Sequence, residues 1–418
     1  MERIVFENGI RLVTDHIESH NTFSMGIFLP YGSKYETKEE SGISHFIEHL
    51  LFQENYYFNK REINELVENI GGRINAFTTK EYMCIYVECL KEYSSYVADL
   101  IYKLIAFPVF KQEDIDQEKK VIINEIYLHM DNYYEVCQQN LLTEIWKNHM
   151  LSSPILGDIT TISKMKSDYI SNFYFQNLNP RQIVISVSGN YEGEVLTILE
   201  EKFSDLSKKE NYRLESALPD YKSSNVIAQR DTAQNFIMMG FPMFSHMDSK
   251  LLAFMIFNQL FGIGASSILF KELRDNHGLV YMVHSYPLIY KEGGLFIISA
   301  SLPKVNDTDY LIQETFKKIN HYRDNGMNKD EFNTSKLKLL GQMALEFENT
   351  RNRMLELGKY EFLGLYSHSE DEGVKGIFKL VKKQEISSTN EAIFKTFSYP
   401  ASISIINSVT KSAISQCQ

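Results

Sequence analysis

The sequence predicts an α+β fold made twice: two homologous domains, each a mostly antiparallel sheet with helices packed on a face. Strand-like and helix-like segments interleave with long hairpins, which argues for sheet-and-helix layers rather than a parallel βαβ sheet. The order of segments recurs after roughly 210 residues. The polar stretch 208–224 separates the copies, so the expected domains are 1–207 and 225–418.

Within the first copy, Ile4-Val5-Phe6 and Ile10-Arg11-Leu12-Val13 flank Asn8-Gly9, a two-residue hairpin signal. Phe23, Met25, Ile27 and Leu29 alternate, which predicts a strand buried on one side. Ser41-Gly42-Ile43-Ser44 opens a helix. A second runs from Lys60 to Ile70, with Ile63, Leu66, Val67 and Ile70 on one face and Gly71-Gly72 as its stop. Ile74 to Leu90 reads as strand, Tyr93 to Phe107 as a helix ended by Pro108, and Gln112 to about Asn148 as one long helical stretch. Gln182 to Ser188 is a buried strand that Gly189-Asn190 terminates.

The second copy follows the same plan. Asn235 to Gly240 matches the early strand, and both run into proline: Phe28-Leu29-Pro30 against Gly240-Phe241-Pro242. Val280 to Ser301 takes the place of Ile74 to Leu90, Asp307 to Tyr322 and Lys329 to Phe362 read as helices, and Ser402 to Ile406 answers the strand at Gln182.

Composition bounds the class. A chain of 418 residues, 44% apolar and 23% charged, has ample material for two or three globular cores. The start, Met1 to Gly9, lacks the apolar segment of a signal peptide, and no 18-residue apolar run predicts a membrane span. Cys84, Cys89, Cys137 and Cys417 show no Cys-x-x-Cys spacing, which fits a reduced cytoplasm. A net charge of −11 argues against nucleic acid and favours neutral or basic peptides as partners.

Chemistry concentrates in His45-Phe46-Ile47-Glu48-His49. On a helix, His45, Glu48 and His49 fall at i, i+3 and i+4 and share a face. Two imidazoles one turn apart can hold one divalent metal, and a carboxylate between them can act on a water there. The order His-x-x-Glu-His is that of the inverzincin motif. Catalytic zinc takes three protein ligands, so another side chain is needed. Glu118 and Glu125, seven apart on the helical stretch from Gln112, supply two candidates, unless that stretch is only a solvated face.

Further motifs carry a resemblance. Gly42-Ile43-Ser44-His45-Phe46-Ile47-Glu48-His49, Gly71-Gly72-Arg73-Ile74-Asn75-Ala76-Phe77-Thr78 and Glu118 to Ile126 follow one another in the first half. Pro154-Ile155-Leu156-Gly157 and then Arg274 to Tyr281 complete the series. In this order they resemble the pitrilysin/insulinase zinc peptidases, in the short bacterial branch similar to mitochondrial processing peptidase, from about residue 3 to about residue 408. The resemblance implies that His45, His49 and Glu125 bind zinc, that Glu48 activates the water, and that Glu118 is a supporting carboxylate. It further implies that Arg274 and Tyr281 contact the substrate carbonyl, from the facing protomer of a two-chain clamshell. Asn75, Ala76 and Phe77 would lie on an edge strand that pairs with the extended peptide.

The chain departs from the pattern in places. Phe52 is followed by Gln53-Glu54-Asn55 where Phe-x-Gly-Thr is common. Ile268 stands where an arginine usually follows the paired serines, and the preceding glycine run is thinned to Gly262-Ile263-Gly264. None of these removes a metal ligand. In the second copy, the corresponding helix Lys250 to Phe261 has no His, Asp or Glu, so one zinc per chain is expected. His16 and His20 are also four apart but sit among strand and turn signals, where their rings would not converge.

The sequence therefore predicts a soluble zinc endopeptidase acting on unfolded peptides in a chamber formed by a homodimer, or by a heterodimer with a homologous chain. The competing reading is a catalytically silent or accessory peptide-binding subunit.

Overall fold

The computed structural model describes residues 1–207, 218, 220–303, 308–365 and 373–408. Most of the expected linker 208–224 lies outside the described residues, as does Cys417. The first strands are β1 (Glu2–Val5), β2 (Arg11–His16) and β3 (Thr22–Leu29), followed by helices α1 (Ile43–Leu51) and α2 (Lys60–Glu68). Next come β4 (Arg73–Thr78), β5 (Met83–Leu90), α3 (Ser94–Ala106), α4 (Gln112–Asp131) and α5 (Tyr133–Ile145). The half closes with α6 (Ile159–Lys164), α7 (Ser167–Asn177), β6 (Val184–Gly189) and α8 (Glu194–Ser204). The second half runs β7 (Asn225–Arg230), β8 (Gln234–Met243), α9 (Lys250–Phe261), β9 (Met282–Ile289) and β10 (Gly294–Pro303). Helices α10 (Thr308–Asn325), α11 (Lys329–Glu346), α12 (Thr350–Leu363), α13 (Gly373–Lys383) and α14 (Ile386–Phe397) then precede β11 (Ser402–Ser408).

The repeat is visible in the pairing. One sheet has the order β1-β2-β6-β3-β5-β4 and the other β7-β11-β8-β10-β9. In each, the late strand of the half pairs in parallel with an early one, β6 with β2 and β11 with β7. The remaining neighbours run antiparallel. The first sheet adds β1 through the Asn8-Gly9 turn, where Gly9 takes φ +94°.

The compact units are not two contiguous stretches of chain. One comprises Met1–Leu128, Ser153–Ser216 and Ala344–Ile377; the other His129–Ser152, Ala217–Met343 and Phe378–Gln418. Each half of the sequence thus lends a segment to the other unit. Both long helices expected from the sequence break close to these crossings. Gln112 to Asn148 splits into α4 and α5 at Asn132, whose side chain accepts the Glu135 N–H. Lys329 to Phe362 splits before Asn349, which accepts the Arg351 and Asn352 amides. Asparagine favours such caps because its short side chain competes for backbone donors.

In the first unit, α12 lies along β3 and β6. Strand β3 is consequently buried on both faces, with Ser24 and Phe28 as inaccessible as Met25 and Ile27. That corrects the expectation of one buried side: the cover for the second face arrives more than 300 residues later in the chain. Glycines permit the close approach. A Cβ on Gly358 would sit 2.0 Å from Phe28 Cε2, and one on Gly26 would sit 2.4 Å from Met354 Sδ. Glu361 at the far end of α12 is gripped by Arg3 at 3.0 Å and Arg11 at 3.3 Å. The other sheet face carries the larger core, where Ile27, Ile85 and Val87 meet Phe46, Val97, Ile101 and Ile122. Burying each such side chain contributes roughly 1.5–3 kcal/mol.

In the second unit, α5 plays the part of α12. Its Cys137, Leu141, Leu142 and Ile145 pack with Met238, Leu295, Ile297 and Ile406. On α9 and α14, Phe254, Phe257, Phe261 and Phe397 form a ring cluster with Phe296, with centroids 4.9–6.3 Å apart. Among the described residues, Cys84, Cys89 and Cys137 are buried free thiols.

Candidate metal centre and active site

Helix α1 is amphipathic with an unusual polar stripe. Phe46, Ile47, Leu50 and Leu51 face the core, while His45, Glu48 and His49 emerge on the side toward β4 and α4. Helix α4 buries Ile115, Glu118, Ile122 and Ile126. Its Glu125 lies one position before that buried stripe and stays accessible, with a side chain 38% exposed.

Glu125 Oε2 stands 3.5 Å from His49 Nε2 and 3.8 Å from His45 Nε2. The three ligand atoms lie within 4.8 Å of one another. Zinc bonds of about 2.0–2.1 Å at tetrahedral angles put ligand atoms about 3.4 Å apart, so the set needs little movement to take the ion. Burial, and then the neighbouring His49, push His45 down to about 3, which keeps its ring neutral and able to donate a lone pair. Among the described residues Glu125 is paired with the two imidazoles and with no lysine or arginine. Two nitrogens and one carboxylate with no competing cation fit a zinc ion.

Glu118 does a different job. Its Oε2 accepts from His49 Nδ1 at 3.1 Å, on the ring edge away from Glu125, and its Oε1 accepts from Gln53 at 2.6 Å and Lys60 at 3.4 Å. A carboxylate on Nδ1 fixes the tautomer and leaves Nε2 free to coordinate. Burial raises the Glu118 carboxyl, but His49 and Lys60 outweigh it and hold the group below its ordinary value.

Glu48 accepts a hydrogen bond from Thr78 Oγ1 at 2.5 Å. Burial raises its pKa, opposed by Thr78 and His49 and reinforced by Glu125. A half-buried carboxylate whose pKa is raised is the stronger base for it. Thr78 ends β4, so one strand both holds the base and forms the sheet edge. Asn75, Ala76 and Phe77 sit on that edge strand, with Ala76 against the core and the Phe77 ring against Tyr82 and Tyr86.

Arg274 and Tyr281 belong to the second unit. A π-helical turn, Phe270–Asn276, presents Arg274, and its guanidinium lies over the rings of Phe270 at 4.8 Å and Tyr281 at 5.4 Å. Tyr281 is 65% exposed and lines a cavity of about 420 Å³ with Tyr134, Phe236, Met282 and His284. A second carboxylate–histidine group stands nearby, Glu272, His277 and Glu314. There Lys318 sits 3.0 Å from Glu272 and Lys317 2.5 Å from Glu314, so the charges are already balanced. His16 and His20 do not converge; their nearest partners are Asn190 and the Glu348 carbonyl.

Spacing alone did not find Gln53, Lys60 or Thr78. Thr78 closes a motif visible in the sequence, but its contact with Glu48 depends on α1 packing against β4.

Sequence comparison with known proteins points to one family. Residues 11–159 match the insulinase (peptidase family M16) model and residues 164–339 the peptidase M16 inactive domain. An uncharacterized zinc protease of Bacillus subtilis, YmxG, is 29% identical over 366 residues, covering 87% of this chain and 88% of the relative. An uncharacterized zinc protease of Rickettsia felis is 28% identical over 400 residues, 95% and 96% of the two chains. In fold, the chain is similar to a protease from Helicobacter pylori, with a TM-score of 0.90 at 17% identity over 97% of this chain and 99% of that one. A peptidase M16 inactive domain structure from Pseudomonas fluorescens gives 0.88 at 17% identity over 98% of each chain. Both halves of the sequence carry the family's signature in the family's order, and the chain belongs to the insulinase family of peptidases, family M16.

Proposed function

We propose that this chain is a zinc-dependent endopeptidase that cleaves unfolded peptides, with Glu48 as general base. The observation that carries the reading is the convergence of His45, His49 and Glu125 beside the half-buried Glu48 carboxylate of α1. These three residues would hold zinc, which when bound would supply Lewis acidity and lower the pKa of a water towards about 7. Glu48 takes the proton of the attacking water and passes it to the leaving amine. Thr78 steers the carboxylate, and Glu118 orients His49.

The free edge of β4 supports substrate binding by strand addition. Asn75, Ala76 and Phe77 offer backbone groups to an extended peptide, which favours unfolded substrates. Arg274 and Tyr281 are assigned as hydrogen-bond donors to the substrate carbonyl, and their adjacency and exposure suit that role. We assign them to the facing protomer of a dimeric chamber, formed with a second copy or a homologous chain. No helix among the described residues is long and apolar enough to cross a membrane.

The test is direct. The purified chain is incubated with a mixed peptide library, with and without a zinc chelator, and the cuts are mapped by mass spectrometry. Chelator-sensitive cleavage by the parent, and zinc retained without cleavage in Glu48→Gln, are expected. Undiminished turnover by Glu48→Gln would remove Glu48 as the base.

A further inference from the structure

Glu36 takes no part in the groups described so far, yet its carboxylate is almost wholly buried, at 3% exposure. Its Oε2 accepts the Gly42 N–H at 2.8 Å and its Oε1 the Ser44 N–H at 2.9 Å. These amides stand at the start of α1, where helix geometry leaves backbone donors without intrahelical partners. Gly42 is the N-cap residue, with φ +90° and no side chain to offer. The cap therefore comes from six residues upstream, as a carboxyl acceptor at the positive end of the helix dipole.

A side chain at Gly42 is excluded by a motif the proposed chemistry leaves unused. A Cβ there would lie 2.7 Å from the Leu156 carbonyl oxygen and 2.9 Å from Gly157 Cα. Reciprocally, a Cβ on Gly157 would lie 2.4 Å from the Ser41 carbonyl oxygen and 2.6 Å from Gly42 Cα. Pro154-Ile155-Leu156-Gly157 thus presses backbone to backbone against the helix start. Buried Lys80, whose charge acts on Glu36, donates to the Ser153 carbonyl just before that turn. Carboxylate, lysine and turn together seat the first turn of α1.

His45 is the next residue after Ser44. His49 has Glu118 on its second ring nitrogen, whereas His45 Nδ1 is buried and meets no partner among the described residues. The direction of the His45 ring is therefore set by the seat of the helix itself. We propose that Glu36 is the positioning residue for His45: by holding the Gly42 and Ser44 amides it fixes the first turn of α1, and so the angle at which His45 meets the metal. The inference rests on His45 being a zinc ligand.

The experiment measures zinc affinity by chelator competition, with the cobalt(II) absorption spectrum as a second readout, in the parent, Glu36→Gln, Glu36→Ala and Gly157→Ala. Glu36→Ala is expected to bind zinc about 10- to 100-fold more weakly, the range for groups that orient a ligand. Glu36→Gln, which keeps one acceptor, should fall between it and the parent. Gly157→Ala should weaken zinc in the same direction. At saturating zinc, kcat should fall in Glu36→Ala while KM stays within about threefold, because the substrate-binding strand is untouched. A folded Glu36→Gln and Glu36→Ala with parental zinc affinity and an unchanged cobalt spectrum would overturn the inference, leaving Glu36 only a fold-stabilising cap. Should Glu36→Ala not fold, Glu36→Gln decides alone, since it preserves size and one hydrogen bond. A parent that binds no zinc would instead sink the metal-site reading.

Discussion

Exchanging Glu118 for Gln separates the two carboxylates of α4 by role. The amide keeps the size and shape of the acid but turns one of its two acceptors into a donor. If its oxygen faces Gln53 and Lys60, the NH₂ meets His49 Nδ1, which must then become an acceptor. That tautomer places a proton on Nε2, the atom facing Glu125 at 3.5 Å, and blocks coordination. If the oxygen faces His49 instead, Gln53 at 2.6 Å and Lys60 at 3.4 Å are left against a donor in a site only 5% exposed. Either way one hydrogen bond to a charged group is lost, worth about 1.5–3 kcal/mol. At about 1.4 kcal/mol per decade this is roughly 10- to 100-fold in zinc affinity. Glu125→Gln leaves His49 oriented but removes an anionic ligand, and it should cost more than 100-fold, on the order of a whole metal ligand. Chelator competition at one fixed pH measures both. Tighter zinc binding by Glu125→Gln than by Glu118→Gln would refute the assignment and make Glu118 the ligand.

Three further outcomes are expected. Mixing inactive Glu48→Gln with inactive Arg274→Ala chains should restore part of the cleavage through hybrid dimers with one intact site; no recovery in a mixture shown to exchange subunits would reject the shared site. Gly358→Ala should gain up to about 1 kcal/mol of helix propensity but lose about 1–3 kcal/mol by forcing a methyl onto Phe28, 2.0 Å from the ring. A net fall in the denaturation midpoint is therefore predicted, and a rise would mean that α12 shifts freely on the sheet. Lys34 and Glu81 form an ion pair at 2.9 Å with side chains 3% and 5% exposed. Glu81→Ala should cost about 3–5 kcal/mol in urea denaturation, and Lys34→Met with Glu81→Leu much less, because only the single variant strands a buried charge.

What the sequence determined by itself was set by local rules. His45, Glu48 and His49 share a face because a helix repeats every 3.6 residues, and that holds before any tertiary contact forms. The repeat was legible because, β1 apart, both copies use corresponding strands in the same order, and each half ends in a late strand that pairs in parallel with an early one. The family resemblance added Glu125, but spacing alone left Glu118 equally eligible, since both lie on α4 two turns apart.

Only the tertiary structure shows which edge of the His49 ring each of those two carboxylates meets. It likewise decided that α4 stops at Asp131 and α11 at Glu346, although both sequences continue in a helical pattern. The caps Asn132 and Asn349 were readable in principle. Their meaning was not: each precedes a helix whose apolar face is completed by the sheet of the other half, and no local pattern encodes so distant a partner. For the same reason β3 read as half-buried, and the contacts that Thr78, Gln53 and Glu36 make were not legible in the sequence. A side chain's chemistry is written in its own residue; what it touches is set by segments as far as hundreds of positions away.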